Sequence, residues 1–106
     1  MGLLDFLKPT NINTGVEEFR ATPNARLIDV RTPGEYAGGH IPSAVNVPLQ
    51  QISAITSKVP DKSTPLFVYC MSGARSQQAI SALKQMGYTN ARNIGGISSW
   101  RGDVER

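Results

Sequence analysis

Apolar residues along the chain occur with two spacings, and their alternation predicts a regular succession of strands and helices. Short, nearly unbroken apolar runs at residues 26–30, 44–47, 65–70 and 91–94 predict four strands. The run at 65–70 lacks polar alternation, which is typical of a central parallel strand covered on both faces. Strands that alternate with helices indicate an α/β fold with a small central parallel sheet, covered by helices on both faces.

The helices are predicted from spacing and from capping residues. We expect a first helix capped by Asn13 or Thr14, and a short second helix that begins at Thr32 and Pro33. Apolar residues at helical spacing predict a third helix over residues 49–59.

The last third of the chain is predicted to end in a helix, a strand and a turn. Residues 75–86 carry apolar side chains on one helical face, and Gly87 follows them as a C-terminal cap. After the strand at 91–94 we expect a turn at Gly95 and Gly96, and then a helical turn over residues 97–100.

Residues 1–10 are expected to form a short N-terminal segment, and residues 11–106 a single domain. The segment lacks the charged and apolar regions of a signal peptide, and no stretch is apolar and long enough to span a bilayer. We therefore expect a cytoplasmic protein without a membrane partner. The apolar side chains of the segment predict a helical turn that docks on the domain or on a second copy: Leu3, Leu4, Phe6 and Leu7.

Composition narrows the class of protein. The 106 residues are 40% hydrophobic and 18% charged, as in a globular domain that buries a core without staples. One Cys and one His exclude an internal disulfide and a structural zinc site, and we expect no metal or cofactor. The net charge is +3, but basic and acidic residues are interleaved, which favours a small anionic substrate over a nucleic acid.

The single cysteine, Cys70, ends the predicted central strand and precedes the glycine-containing loop 71–74 and a helix. Ligands of open α/β sheets gather at such strand ends. The N–H groups of the loop, the start of the helix and the Arg75 cation should all lower the pKa of the thiol. Cys70 is therefore a candidate nucleophile that needs no separate base. A lone Cys is more commonly an inert core residue, but that alternative does not explain the loop that follows it.

Four segments in order, at residues 27–31, 39–46, 70–75 and 95–100, resemble the rhodanese (thiosulfate sulfurtransferase) family in its single-domain form. The resemblance covers nearly the whole chain. It implies a rhodanese-like α/β fold and a Cys70 that carries sulfur as a persulfide. Ser43 departs from the family pattern, which usually has Gly there, and this puts a backbone turn in question.

The resemblance implies a sulfurtransferase that moves a sulfane sulfur from thiosulfate, or a similar small anionic donor, to a thiol or cyanide acceptor. Arg75 would hold the anionic group of the donor beside the Cys70 persulfide. The N–H groups of the loop would hold the terminal sulfur, which makes Met71, Ser72, Gly73 and Ala74 candidate binding residues. The hydroxyl groups of Ser72 and Ser76 could donate to the same charge, although Ser76 could equally be an ordinary residue at a helix start.

Two alternatives stay open. Cysteine phosphatases of similar fold have a loop one residue longer than the four residues between Cys70 and Arg75, so sulfur transfer ranks above phosphate-ester hydrolysis. The chain could also be a persulfide carrier or a sulfide-sensing module that serves a dedicated sulfur-relay protein with little turnover of its own. The carrier needs the same cysteine as the enzyme.

Other polar residues near the strand ends are expected to be structural. Asp29 should accept backbone N–H groups, and Arg31 should pair with Glu35 four residues further on. His40 is expected to be a hydrogen-bonded turn residue, and Trp100 a packing anchor.

Overall fold

The computed structural model describes residues 11–106, and its centre is a four-stranded parallel sheet. The strands lie in the order β2-β1-β3-β4, and each neighbouring pair is parallel. The four strands are β1 (Arg26–Asp29), β2 (Ala44–Asn46), β3 (Leu66–Cys70) and β4 (Ala91–Gly96). All four predicted strands are confirmed. The segment expected over residues 1–10 lies outside the described residues.

Helices cover both faces of this sheet, as predicted. The side chains of β3 alternate between two buried clusters: Leu66, Val68 and Cys70 point to one face, and Phe67 and Tyr69 to the other. The first cluster packs against α3 (Ile55–Lys58) and α4 (Ala74–Gln85), and the second against α1 (Ile12–Ala21). Within residues 11–106, no helix has the length and apolar character needed to cross a membrane.

The first helix begins earlier than predicted. Asn11, rather than Asn13 or Thr14, caps α1, because its side-chain oxygen accepts the N–H of Asn13 at 2.8 Å. The Asn13 side chain has another role: it donates to the carbonyl of Ser99 at 3.0 Å and accepts the N–H of Arg101 at 3.0 Å. These bonds tie the first helix to the end of the chain.

The prediction of one continuous helix over residues 49–59 is wrong. A 3-10 helix (Leu49–Ala54) with a non-helical residue at Gln51 leads into the single turn of α3. The apolar spacing contains the reason. Leu49, Ile52 and Ile55 are three residues apart, which is the period of a 3-10 helix, whereas the step from Ile55 to Val59 is the four residues of an α-helical turn.

The turn predicted at Gly95 and Gly96 is also wrong, because β4 continues through both glycines. A bulge inserts one extra residue into β4, so Asn93 pairs with Val68 and Gly95 with the next residue, Tyr69. Gly95 has a φ of +104°, and Gly96 pairs with Cys70 at the end of β3. The bulge thereby brings both glycines beside the loop that follows Cys70.

Two predicted helix ends are confirmed by their hydrogen bonds. Thr32 and Glu35 form a reciprocal capping box at the start of α2 (Pro33–Gly38). Gly87 ends α4 in a left-handed conformation, with a φ of +101°, and the N–H of Tyr88 donates to the carbonyl of Leu83 at 3.0 Å.

The turn before β2 keeps a left-handed conformation although Ser43 occupies the position where glycine was expected. Ser43 has a φ of +78° and an exposed side chain. A residue with a Cβ atom pays a conformational cost in this region, whereas glycine adopts it without strain.

We predict that Ser43→Gly raises the free energy of unfolding by about 0.5–1 kcal/mol, because relief of the left-handed strain outweighs the greater flexibility of glycine in the unfolded chain. Urea titration followed by circular dichroism measures the change. Ser81→Gly is the matched control, since Ser81 is exposed inside α4 and its replacement should cost roughly 0.5 kcal/mol. A loss of stability in both variants would contradict the strain assigned to Ser43.

Candidate active site

Cys70 is the last residue of the central strand β3 and lies between the ends of its neighbours. Because the sheet is parallel, the ends of all four strands meet at one edge, with Asp29, Asn46 and Gly96 at the corresponding positions. The Cys70 side chain is buried in the cluster beneath α4, with 1% of its residue surface exposed. The thiol is therefore held by the protein and largely shielded from water.

The chain turns from β3 into α4 around the sulfur of Cys70. The N–H of Gly73 points at Cys70 Sγ at 3.0 Å, and Gly73 has the left-handed φ of +106° that this turn requires. Ala74 begins α4 directly afterwards, and the hydroxyl of Ser76 lies 3.4 Å from the sulfur. Ser76 is fully buried, so its hydroxyl faces the sulfur and the loop rather than solvent.

These donors change the acidity of the thiol. Burial raises the pKa of Cys70, but the hydroxyl and N–H of Ser76 and the N–H groups of Gly73 and Ser72 together lower it below the ordinary value of a thiol. This is the direction expected from the sequence. The hydrogen bonds stabilise the thiolate, and only the thiolate is a strong sulfur nucleophile.

Asn93 on β4 holds the loop in place, and sequence reasoning did not single it out. Its amide nitrogen donates to the carbonyl of Gly73 at 3.1 Å. Its amide oxygen accepts the N–H of Gly95 at 2.9 Å and lies 2.7 Å from the Ser76 hydroxyl, which donates its one hydrogen either to this oxygen or to Cys70 Sγ. Asn93 therefore connects the two donors of Cys70 to the neighbouring strand. The sequence alone carried no signal for this role, because the bulge that follows Asn93 is visible only in the structure.

The backbone of β4 packs directly against the loop. A Cβ atom at Gly96 would lie 2.3 Å from the carbonyl oxygen of Met71, which no side chain can tolerate. The same carbonyl accepts the N–H of Ser98 at 3.1 Å. Glycine at position 96 is thus required by the close approach of two backbones, and this contact fixes the start of the loop.

Arg75, in the first turn of α4, forms a two-bond ion pair with Glu35 of α2. Its nitrogens lie 2.7 and 3.0 Å from the two carboxylate oxygens, and about a third of each side chain is exposed. The Arg75 hydrogen bond, with that of the Thr32 backbone, lowers the pKa of Glu35 to about 2. Glu35 in turn raises the pKa of Arg75, and Cys70 adds a smaller effect in the same direction.

The ion pair predicted between Arg31 and Glu35 is therefore wrong. Arg31 precedes the cap of α2, so the two residues do not share a helix and the spacing of four has no meaning there. The Arg31 guanidinium instead binds the Asp29 carboxylate, at 2.7 Å for the closest pair of atoms, with both side chains buried. Asp29 also accepts the N–H of Arg31 at 2.9 Å, which confirms the expected backbone contact.

The two remaining residues have the structural contacts expected of them. His40 stacks on Tyr36 with ring centroids 3.7 Å apart, and its backbone pairs with that of Glu105. Trp100 packs against the cluster beneath α1 and donates its indole N–H to the carbonyl of Asp103 at 2.8 Å. Neither side chain contacts the sulfur of Cys70 in the described structure.

Two openings lie near the start of α4. A cavity of about 210 Å³ is lined by Arg75, by Val30 after β1, and by the first residues of α2 and of the 3-10 helix, Pro33 and Leu49. A larger groove of about 660 Å³ is lined by the loop residues Ser72 and Gly73 and by residues of α4 and β4, including Lys84. The Met71 side chain is 39% exposed beside Cys70, and Ser72 and Ala74 are exposed as well. Of the loop residues expected to bind substrate, Gly73 and Ser72 direct their N–H groups at the sulfur, that of Gly73 at 3.0 Å.

Comparison with known proteins places this arrangement in a family. The sequence model of the rhodanese-like domain family matches residues 13–103 of this chain. The thiosulfate sulfurtransferase PspE of Escherichia coli is 44% identical over 71 residues, which cover 66% of this chain and 68% of that protein. A sulfurtransferase of Allochromatium vinosum is 44% identical over 80 residues, 74% of each chain.

The fold agrees with solved structures of the same family. The structure described as a rhodanese with anions from E. coli has a TM-score of 0.72 and 37% identity, and the alignment covers 77% of this chain and 98% of that one. The strand, loop and helix around Cys70 lie inside the matched residues. The chain therefore belongs to the rhodanese-like domain family, and its named relatives support a sulfurtransferase function in the broad sense.

Proposed function

We propose that this chain transfers a sulfane sulfur from thiosulfate, or a similar small anionic donor, to a thiol or cyanide through a persulfide on Cys70. The observation that carries the proposal is the position of Cys70 Sγ, buried at the end of β3 with the N–H of Gly73 at 3.0 Å and the Ser76 hydroxyl at 3.4 Å. These donors favour a negative sulfur in a place that water barely reaches.

In the first half of the reaction the Cys70 thiolate attacks the outer sulfur of thiosulfate. A bond forms between Sγ and that sulfur, the sulfur–sulfur bond of thiosulfate breaks, and its electron pair leaves with sulfite. No proton is transferred, so the step needs no general base, in keeping with the lowered pKa of Cys70. The N–H groups of the loop then stabilise the terminal sulfur of the persulfide, and Arg75, still paired with Glu35, would orient the anionic group of the donor.

In the second half an acceptor thiolate or cyanide attacks the terminal sulfur of the persulfide. The bond to Sγ breaks, and its electron pair returns to Cys70 as thiolate, which the same hydrogen bonds stabilise. The chain contains no second cysteine that could resolve the persulfide into a disulfide. The sulfur can therefore wait on Cys70 until an acceptor arrives.

The proposal predicts that the intact protein gains one sulfur atom when treated with thiosulfate, and that a thiol or cyanide removes it. Mass spectrometry of the whole protein before and after the acceptor is added measures both steps. Cys70→Ser is the control and should gain nothing, because a hydroxyl does not form the persulfide.

The same experiment separates the alternatives. A wild-type protein that gains no removable sulfur would overturn the proposed transfer, and hydrolysis of a phosphate ester in its place would identify a phosphatase. If the sulfur passes to a protein thiol but not to cyanide, the chain is a persulfide carrier and not a sulfurtransferase with free turnover.

A second prediction concerns the pH dependence of Cys70. Because its pKa is lowered by hydrogen bonds, the rate of thiol alkylation should persist below the ordinary thiol range and fall only as the pH drops through the lowered value. Ser76→Ala removes the hydroxyl donor, so its pH profile should shift to higher pH. Sulfur loading at neutral pH should then slow roughly tenfold, the effect of losing one hydrogen bond to a charged group.

Ser81→Ala is the matched control, since Ser81 is exposed on the same helix. Alkylation profiles of the wild type and Ser81→Ala should coincide. Coincidence of all three profiles would show that Ser76 does not stabilise the thiolate.

A further inference from the structure

This inference rests on the proposed sulfur transfer and concerns the charge of the donor. Arg75 is the one charged side chain among the described residues that line the 210 Å³ cavity at the start of α4. A cation there would attract every anionic donor. Its guanidinium, however, already binds both oxygens of the Glu35 carboxylate, at 2.7 and 3.0 Å.

The ion pair of Arg75 with Glu35 reduces the positive charge that the cavity presents to an anion. A carboxylate bound edge to edge cancels the charge of the guanidinium at a distance and leaves only a local dipole. The pKa of Glu35 lies at about 2, so the carboxylate stays charged over the whole neutral range. The second pair at this edge, Asp29 with Arg31, is buried and also neutral.

The reacting sulfur adds a negative charge of its own. Thiolate and donor repel each other, and the repulsion grows with the charge of the donor. The N–H groups of Gly73, Ser72 and Ser76 offset part of this repulsion, but they act on the sulfur rather than on the far end of the donor. A donor with a second negative charge therefore meets no uncompensated cation at the 210 Å³ cavity.

We propose that Glu35 is a specificity-determining residue that neutralises Arg75 and thereby favours monoanionic sulfane-sulfur donors over dianionic donors of the same size. Glu35 does not touch the reacting sulfur. It acts through Arg75, and the bond from α2 to α4 spans 40 positions of the chain.

The structure allows the charge of Glu35 to be removed without removing its other contact. Glu35 Oε1 accepts the N–H of Thr32 at 3.0 Å and so closes the capping box of α2. The amide oxygen in Glu35→Gln can accept the same bond. This variant therefore exposes the charge of Arg75 while the cap of the helix is kept.

Thiosulfate and methanethiosulfonate are the two probes, because they have similar size and differ by one negative charge. Both lose their outer sulfur to the Cys70 thiolate: one releases sulfite and the other methanesulfinate, each with the electron pair of the broken sulfur–sulfur bond. We expect Glu35→Gln to raise the ratio of kcat/KM for thiosulfate to that for methanethiosulfonate roughly tenfold, the order of magnitude of one uncompensated unit charge near a partly exposed site. The salt dependence of the thiosulfate reaction should become steeper at the same time.

Glu18→Gln is the matched control. It removes the same charge from an ion pair with Arg92, which lies near the start of β4, at the end of the sheet opposite Cys70. The donor ratio should not change in this variant. Glu35→Asp keeps the charge on a shorter side chain and should keep the wild-type ratio.

The outcomes separate this inference from the function on which it rests. If the wild type forms no persulfide with either donor, the proposed function fails. If persulfide forms but Glu35→Gln leaves the ratio unchanged, or slows both donors equally, Glu35 only positions Arg75 and the inference is wrong. If Glu35→Gln does not fold, the inference is tested in the wild type by measuring how well two anions of different charge protect Cys70 from alkylation. Sulfate and methanesulfonate should protect within a few-fold of each other, and a preference for sulfate of tenfold or more would overturn the inference.

Discussion

One constraint governs the edge of the sheet at which Cys70 lies. The sulfur of Cys70 is buried, so hydrogen bonds must take the place of water in stabilising its thiolate. Burial alone would keep the thiol protonated, because a charge without partners is costly in a protein interior. The N–H of Gly73 and the hydroxyl and N–H of Ser76 reverse that effect. The acidity of the Cys70 thiol is therefore set by the backbone and the Ser76 hydroxyl that surround it.

That backbone is held from the side of β4. The bulge opposite the end of β3 brings Gly95 and Gly96 against the loop, and Gly96 approaches the carbonyl of Met71 so closely that only glycine fits. Asn93 then binds Gly73 and Ser76 together. Because these contacts come from a neighbouring strand rather than from the loop itself, the geometry around the sulfur is fixed before any donor arrives.

Glu35 and Asp29 each neutralise an arginine at this edge of the sheet. Each carboxylate holds one guanidinium, and neither guanidinium is left to act as a simple cation. The pair of Asp29 and Arg31 is buried and braces the end of β1, whereas the pair of Glu35 and Arg75 is partly exposed beside the 210 Å³ cavity. The first pair is enclosed by the protein, whereas the second borders an open cavity.

Local patterns explain what could be predicted from the sequence. Apolar runs identified the four strands, and the position of Cys70 between a buried run and a glycine loop indicated the candidate site. The pairing of Arg75 with Glu35 and the role of Asn93 were missed, because those contacts join residues 40 and 17 positions apart. Periodicity carries no information about such partners. The broken helix before α3 is different, since its spacing of three was visible and was interpreted with the wrong period.

The most direct test of the central claim is the titration of the Cys70 thiolate by its ultraviolet absorbance, with Cys70→Ser as the blank. The same protein is titrated folded and in concentrated urea. If the folded backbone stabilises the thiolate, the inflection of the folded protein lies at lower pH than that of the unfolded chain. The corresponding gain in stability is present at pH above the unfolded pKa and is lost as the pH falls through the folded one. Equal inflections in the two states, or a higher one in the folded state, would contradict the account.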